Sequence, residues 1–167
     1  MDYILLEITD IPGESKLAGF TNLIEILSFS HGLSQMMQDS TSNMGRTVGR
    51  PSIQDLTVSK SMDATSPLLV QKCLTATDVG TVKLHLVRQD GSAGGDSKNA
   101  FAYMVYELGH TLISSVNIGG GGGGMPVETV SLNFDTIKWT YKKQKTEVGS
   151  DGNVVGSWNQ SLNTPGS

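Results

Sequence analysis

His31, His85 and His110 are the residues of this chain best suited to hold a metal or move a proton, and they stand alone in sequence. No two fall at the i, i+4 spacing that sets paired imidazoles on one helix face, so no helical metal site is encoded. The acids Glu7, Glu25, Asp55 and Glu107 lie on separate predicted strands, and spacing pairs none of them for acid–base work. Gly119–Gly124 meets a dinucleotide-binding pattern trivially. It leads through Met125 and Pro126 into a strand rather than a helix, and no Lys-Ser or Lys-Thr follows. The helix dipole and amide cradle that hold phosphate are therefore missing, and a flexible loop is the better reading. There is no Gly-x-Ser-x-Gly elbow. The single Cys73 excludes an internal disulfide and a multi-cysteine metal site, and it reads as a small buried hydrophobe. Nothing here requires catalysis, and no cofactor or metal is expected.

The elements that carry these residues are mostly strands. Strand-like runs recur at Tyr3–Thr9, Leu23–Gln35, Ser52–Ser61, Gly80–Gln89, Phe101–Leu108, Thr111–Ile118 and Val127–Lys145, separated by Gly- or Asn/Asp/Ser-rich loops. This spacing predicts an all-β sandwich or barrel. Val127–Lys145 is the most informative run. Val130, Leu132 and Phe134 lie on one parity, whereas Ile137, Trp139 and Tyr141 lie on the other. Successive side chains of a strand point to opposite faces, so one flat strand cannot bury both sets. Either a bulge near Asp135–Thr136 resets the phase, or the chain leaves one sheet and joins a second. Both solutions belong to sheets that curl towards a barrel.

One helix is predicted at about 66–75, with Ser66 as cap and Pro67 at the first helical position. Met36 to Pro51 is a long polar stretch with Arg46, Arg50 and three methionines, and loops of that length inside compact domains are usually functional or disordered. Gln89–Ser97 reads as a hairpin loop. A single domain over 1–145 is expected, followed by a polar, mobile tail over 146–167 in which only Trp158 docks.

Composition narrows the function. Charged residues make up 17% of the chain, and twenty glycines with many Ser, Thr, Asn and Gln take their place. A surface poor in charge suits protein–protein contact. The net charge of −4 offers no footprint for nucleic acid, and the Lys138, Lys142, Lys143 and Lys145 cluster reads as a solvated strand end. The N-terminus has no basic region and its apolar run ends at Glu7, so it is not a secretory signal. No run approaches the roughly 18 apolar residues a spanning helix needs, so membrane insertion is not expected. Synthesis and folding in the cytoplasm are expected, with any export by a route that bypasses such signals.

Several segments taken in order resemble one family. They are Gly13–Lys16 (GESK), Ile24–Gln35 (IEILSFSHGLSQ), Val58–Lys60 (VSK), Thr65–Leu68 (TSPL), Leu112–Val116 (LISSV), Val130–Phe134 (VSLNF), Trp139–Tyr141 (WTY) and the late pair Trp158-Asn159. The set resembles the haemolysin-coregulated protein (Hcp) family, the inner-tube subunit of the type VI secretion system. The resemblance implies a β-barrel of two curled antiparallel sheets with one short flanking α-helix. It implies six copies in a ring, and rings that stack into a tube fired by a contractile sheath with a spike at its tip. Effector proteins travel in the lumen, and the protein is itself secreted into the medium or into target cells. A tail-tube subunit of a phage or another contractile injector is the alternative, and a free enzyme or lectin-like barrel a third reading.

Alternation sets Ser28, Ser30 and Gly32 on one face, a wet wall expected to touch cargo, and by position in the family pattern Ser30 falls on the lumen-facing strand. Leu27, Phe29, His31 and Leu33 are assigned to the barrel interior. The loop holding Asp39, Asn43, Met44, Arg46 and Arg50 is expected to reach a neighbouring ring. Many relatives carry an aromatic residue where this chain has His31.

Overall fold

The computed structural model describes residues 2–38, 47–89, 100–144 and 150–166. In chain order the elements are β1 (Asp2–Ile8), β2 (Ile24–Ile26), β3 (Ser28–Ser30), β4 (Leu33–Ser34), β5 (Met37–Gln38), β6 (Thr47–Val48) and β7 (Ser52–Ile53). Then come β8 (Leu56–Ser61), α1 (Ser66–Leu74), β9 (Val82–Gln89), β10 (Ala100–Gly109), β11 (Leu112–Gly119), β12 (Val127–Asn133), β13 (Thr136–Gln144) and β14 (Ser150–Asn159). They build a six-stranded sheet, β14-β13-β10-β9-β1-β2, and a four-stranded sheet, β11-β12-β8-β3. Neighbouring strands in both are antiparallel.

The core lies where the two sheets face each other. Leu6, Ile24, Ile26, Leu84, Leu108 and Ile137 from the larger sheet meet Leu56, Val58, Val130, Leu132 and Ile113 from the smaller. Strict alternation in β8 and β12 sends every second side chain inward. A second, smaller cluster of Leu5, Val87 and Ala102 lies on the outer face of the large sheet, covered by Leu17, Phe20 and Leu23. Adjacent Leu5 and Leu6 are thus both buried, one on each face.

The parity change in 127–145 resolves as a transfer between sheets. β12 runs in the four-stranded sheet, the chain turns at Phe134–Asp135, and β13 enters the six-stranded sheet, with Asp135 N–H donating to Gly109 O at 3.0 Å. The same event happens at Leu27, between β2 and β3, where Leu27 N–H donates to Ser59 O at 2.7 Å. This crossing corrects the expected interior set. Ile24 and Ile26 are buried, the phase slips by one residue, and Phe29 is the next to turn inward. Leu27 at the corner and Leu33 at the start of β4 are instead exposed, at 59% and 60%.

Two further readings change. Thr65, not Ser66, is the N-cap of α1, and its hydroxyl makes no capping bond. Its N–H and hydroxyl both go to Asp63 Oδ1, while Ser66 Oγ turns inward to Glu128 Oε2 at 2.8 Å. Residues expected to trail from the domain as a tail supply β14, which pairs with β13 from Thr136↔Asn159 to Gln144↔Ser150. Trp158 packs against the core as the sequence suggests. Cys73 is half-buried and also rests on the core.

Candidate functional site

The outward face of the four-stranded sheet is the most distinctive surface of the molecule. In antiparallel ladders, residues directly opposite each other share a face. Ser28 registers with Ser59, Ser59 with Thr129, and Thr129 with Asn117. One step along, Ser30 registers with Thr57, Thr57 with Ser131, and Ser131 with Ser115. Two rows of short neutral side chains therefore run across all four strands, seven of the eight being hydroxyls. The intervening residues Val58, Val130 and Leu132 point into the core, which fixes the rows outward. Thr57 Oγ1 and Ser131 Oγ lie 3.2 Å apart.

A carboxylate lies just before β8, one residue beyond its register. Asp55 accepts from Ser114 Oγ at 2.6 Å and from Asn133 Nδ2 at 2.8 Å, so its carboxylate is held rather than free to reach along the face.

Of the residues expected to contact cargo, Ser28 and Ser30 stand exposed on this face. Gly32 lies beyond the end of β3, half-buried beside Gln54, whose Oε1 would lie 2.7 Å from an added Cβ. Sequence reading missed Thr57, Ser59, Thr129 and Ser131. The signal was present: Leu56–Ser61 and Val127–Asn133 both alternate, with Ser or Thr repeatedly on the polar parity.

The described segments on either side of the expected ring-contact loop form a narrow arm. β4 pairs with β7 and β5 with β6, each through two residues, and Gly49 N–H donates to Met36 O at 3.0 Å. Leu33, Met36, Met37 and Val48 are all more than half exposed on it. Asp39, Asn43, Met44 and Arg46 lie outside the described residues. Arg50, at the arm's base, is exposed and donates through Nη2 to Gln160 O of its own chain at 2.7 Å.

Behind the hydroxyl face, at the end of the same ladder, sits a charged cluster. Lys60 and Glu128 are cross-strand partners on the core side, both fully shielded, with Nζ 3.1 Å from Oε2. Lys60 Nζ also donates to Asp63 Oδ1 and Ser61 O, each at 2.8 Å. Burial pushes the Asp63 pKa up, but hydrogen bonds from Lys60 and Thr65 outweigh it and hold the carboxyl below its ordinary range. The histidines remain apart. His85 Nε2 meets Glu7 Oε2 at 2.8 Å, and His110 Nδ1 meets Asp78 Oδ2 at 3.3 Å. His31 packs edge-on to Tyr106 and against Phe134, taking an aromatic role. Among the described residues, no group of three His, Cys, Asp or Glu side chains is placed to hold a metal. Among the described residues, no helix is long and apolar enough to cross a membrane.

Comparison with known proteins places this architecture. A profile of the family described as "Type VI secretion system effector, Hcp" matches residues 5–141. Protein hcp1 of Pseudomonas aeruginosa is 32% identical over 158 residues, covering 93% of each chain. A solved structure described as a type six secretion system protein superposes with a TM-score of 0.87 at 23% identity, over 99% of this chain and 100% of that one. Hcp1 from Salmonella typhimurium superposes at 0.76 with 25% identity, over 98% of both chains. The chain belongs to the Hcp family of type VI secretion tube proteins.

Proposed function

We propose that six copies of this chain form a ring whose bore is lined by the hydroxyl face, and that effector proteins are carried against it. The two neutral rows that start at Ser28 and Ser30 are the observation that carries this reading. A wall of small uncharged groups offers weak hydrogen bonds everywhere and strong attachment nowhere, so cargo is held without jamming. Rings stack into a tube that works with spike, sheath and baseplate proteins. The protein is made in the cytoplasm and delivered outside the cell.

The arm between β4 and β7 is assigned to contact between rings, through Asp39, Asn43, Met44, Arg46 and Arg50. Its support is physical: an isolated two-stranded ribbon is marginal in water, and this one exposes Met36, Met37 and Val48.

The test replaces Ser30 and Thr57 with Glu. Rings are expected to persist in native mass measurement and negative-stain images, while effector co-purification and secretion fall together. Unchanged cargo binding in intact rings would remove the face from the cargo path. Deleting Asp39–Gly49 is expected to leave the ring whole and abolish secretion.

A further inference from the structure

The six-stranded sheet ends at β14 on one side, next to the lysines of β13, and at β2 on the other, beside Glu14 and Glu25. At the first end, Val155 is 52% exposed and registers with Thr140, between Lys138 and Lys142 on the same face of β13. Glu107 stands across the ladder from Lys138, whereas Lys142 registers with Asn153, and both Lys142 and Lys143 are exposed. Neither lysine pairs with a carboxylate among the described residues.

At the opposite end, a cleft of about 320 Å³ opens beside β2. Leu27, 59% exposed, lies at its rim, and Glu14 and Glu25 line it without an ion-pair partner among the described residues. Asp2 adds a third carboxylate, 3.7 Å from Arg88.

We propose that these two ends are the two halves of one contact between copies. The Lys142–Lys143 end of β13, with Val155 beside it, docks on the Glu14–Glu25 cleft of the next copy, bringing Val155 and Leu27 out of water together. The occupant is a second copy because one chain carries both halves, basic with an exposed valine and acidic with an exposed leucine. A two-fold symmetric contact through either end alone would set like charges against each other. A contact between opposite ends is head-to-tail, and head-to-tail contacts form a ring where the rotation from copy to copy closes and an open filament where it does not. This inference rests on the ring reading and names the surfaces that close it.

Charge reversal tests it in the full chain, with native mass measurement and sedimentation as readouts. Lys142→Glu with Lys143→Glu, and separately Glu14→Lys with Glu25→Lys, are each expected to raise the concentration at which rings form by at least about tenfold. Combining all four substitutions restores opposite charges across the contact and is expected to return ring formation towards the starting value. Far-UV circular dichroism checks that each variant keeps its sheets, and the four-fold variant guards against misreading a folding defect. Rings that ignore both reversals, or a folded four-fold variant that stays monomeric, would overturn the contact while leaving the ring intact as a reading. An unaltered chain that remains monomeric at high concentration would overturn the ring itself, and this contact with it.

Discussion

Lys60 Nζ lies 3.1 Å from Glu128 Oε2 with both side chains at 0% exposure, facing each other across the β8–β12 ladder. Charges so placed are costly to desolvate and costlier to leave alone. Lys60→Met strands Glu128 and Asp63, and is expected to lower unfolding free energy by about 3–5 kcal/mol in urea titrations. Lys60→Met with Glu128→Leu removes both charges and is expected to recover most of that loss. A double variant as unstable as the single one would contradict the pairing.

Asp63 gives the same cluster an acid limit. Its folded-state pKa is held below the ordinary 3.8, so the contribution is complete above that value and is lost as pH falls through the lowered one. Asp63→Asn is expected to be less stable than the parent near neutrality. The gap should close in strong acid, where both side chains are uncharged. A constant gap across the whole acid range would show that the charge is irrelevant.

His31 works in the other direction of protonation. Burial lowers its pKa from 6.5, outweighing a backbone hydrogen bond at Gln54 that raises it. The unfolded chain therefore takes up this proton first, and stability falls as pH drops below 6.5 until the folded-state value is reached. His31→Phe keeps the ring contacts with Tyr106 and Phe134 and cannot titrate. It is expected to gain on the parent as pH is lowered through 6.5, measured by denaturant unfolding on either side of that value.

Glycines divide into required and optional. An added Cβ at Gly13 would lie 2.3 Å from Leu23 O and 2.5 Å from Ile24 N, backbone atoms that cannot step aside. Gly13→Ala is expected to cost about 1–3 kcal/mol. A Cβ at Gly122 meets nothing within 4 Å, and its backbone is not left-handed. Gly122→Ala is expected to change stability by less than about 0.5 kcal/mol, or to raise it slightly by restricting the unfolded chain.

Much of this fold was legible because alternation survives wherever a strand has one dry face. Val130, Leu132 and Phe134 against Ile137 and Trp139 require either a bulge or a change of sheet, and the chain changes sheet. The identical change at Leu27 was harder to see, since Leu27, Phe29, His31 and Leu33 happen to alternate across the slip. β14 was hidden for a different reason. An edge strand with Val154 and Val155 half exposed and Gly152 and Gly156 within it shows no hydrophobic period, and its pairing is decided by β13. The hydroxyl face was half found: Ser28 and Ser30 stood out, whereas the rows they belong to exist only once the registers of β8 and β12 are known.

The crossings at Leu27 and at Phe134–Asp135 also have a mechanical meaning. Because the polypeptide is laced from one layer to the other at both points, neither sheet can be peeled away without dragging the second. A tube assembled from such units would meet an axial load with both sheets of each unit yielding together or not at all.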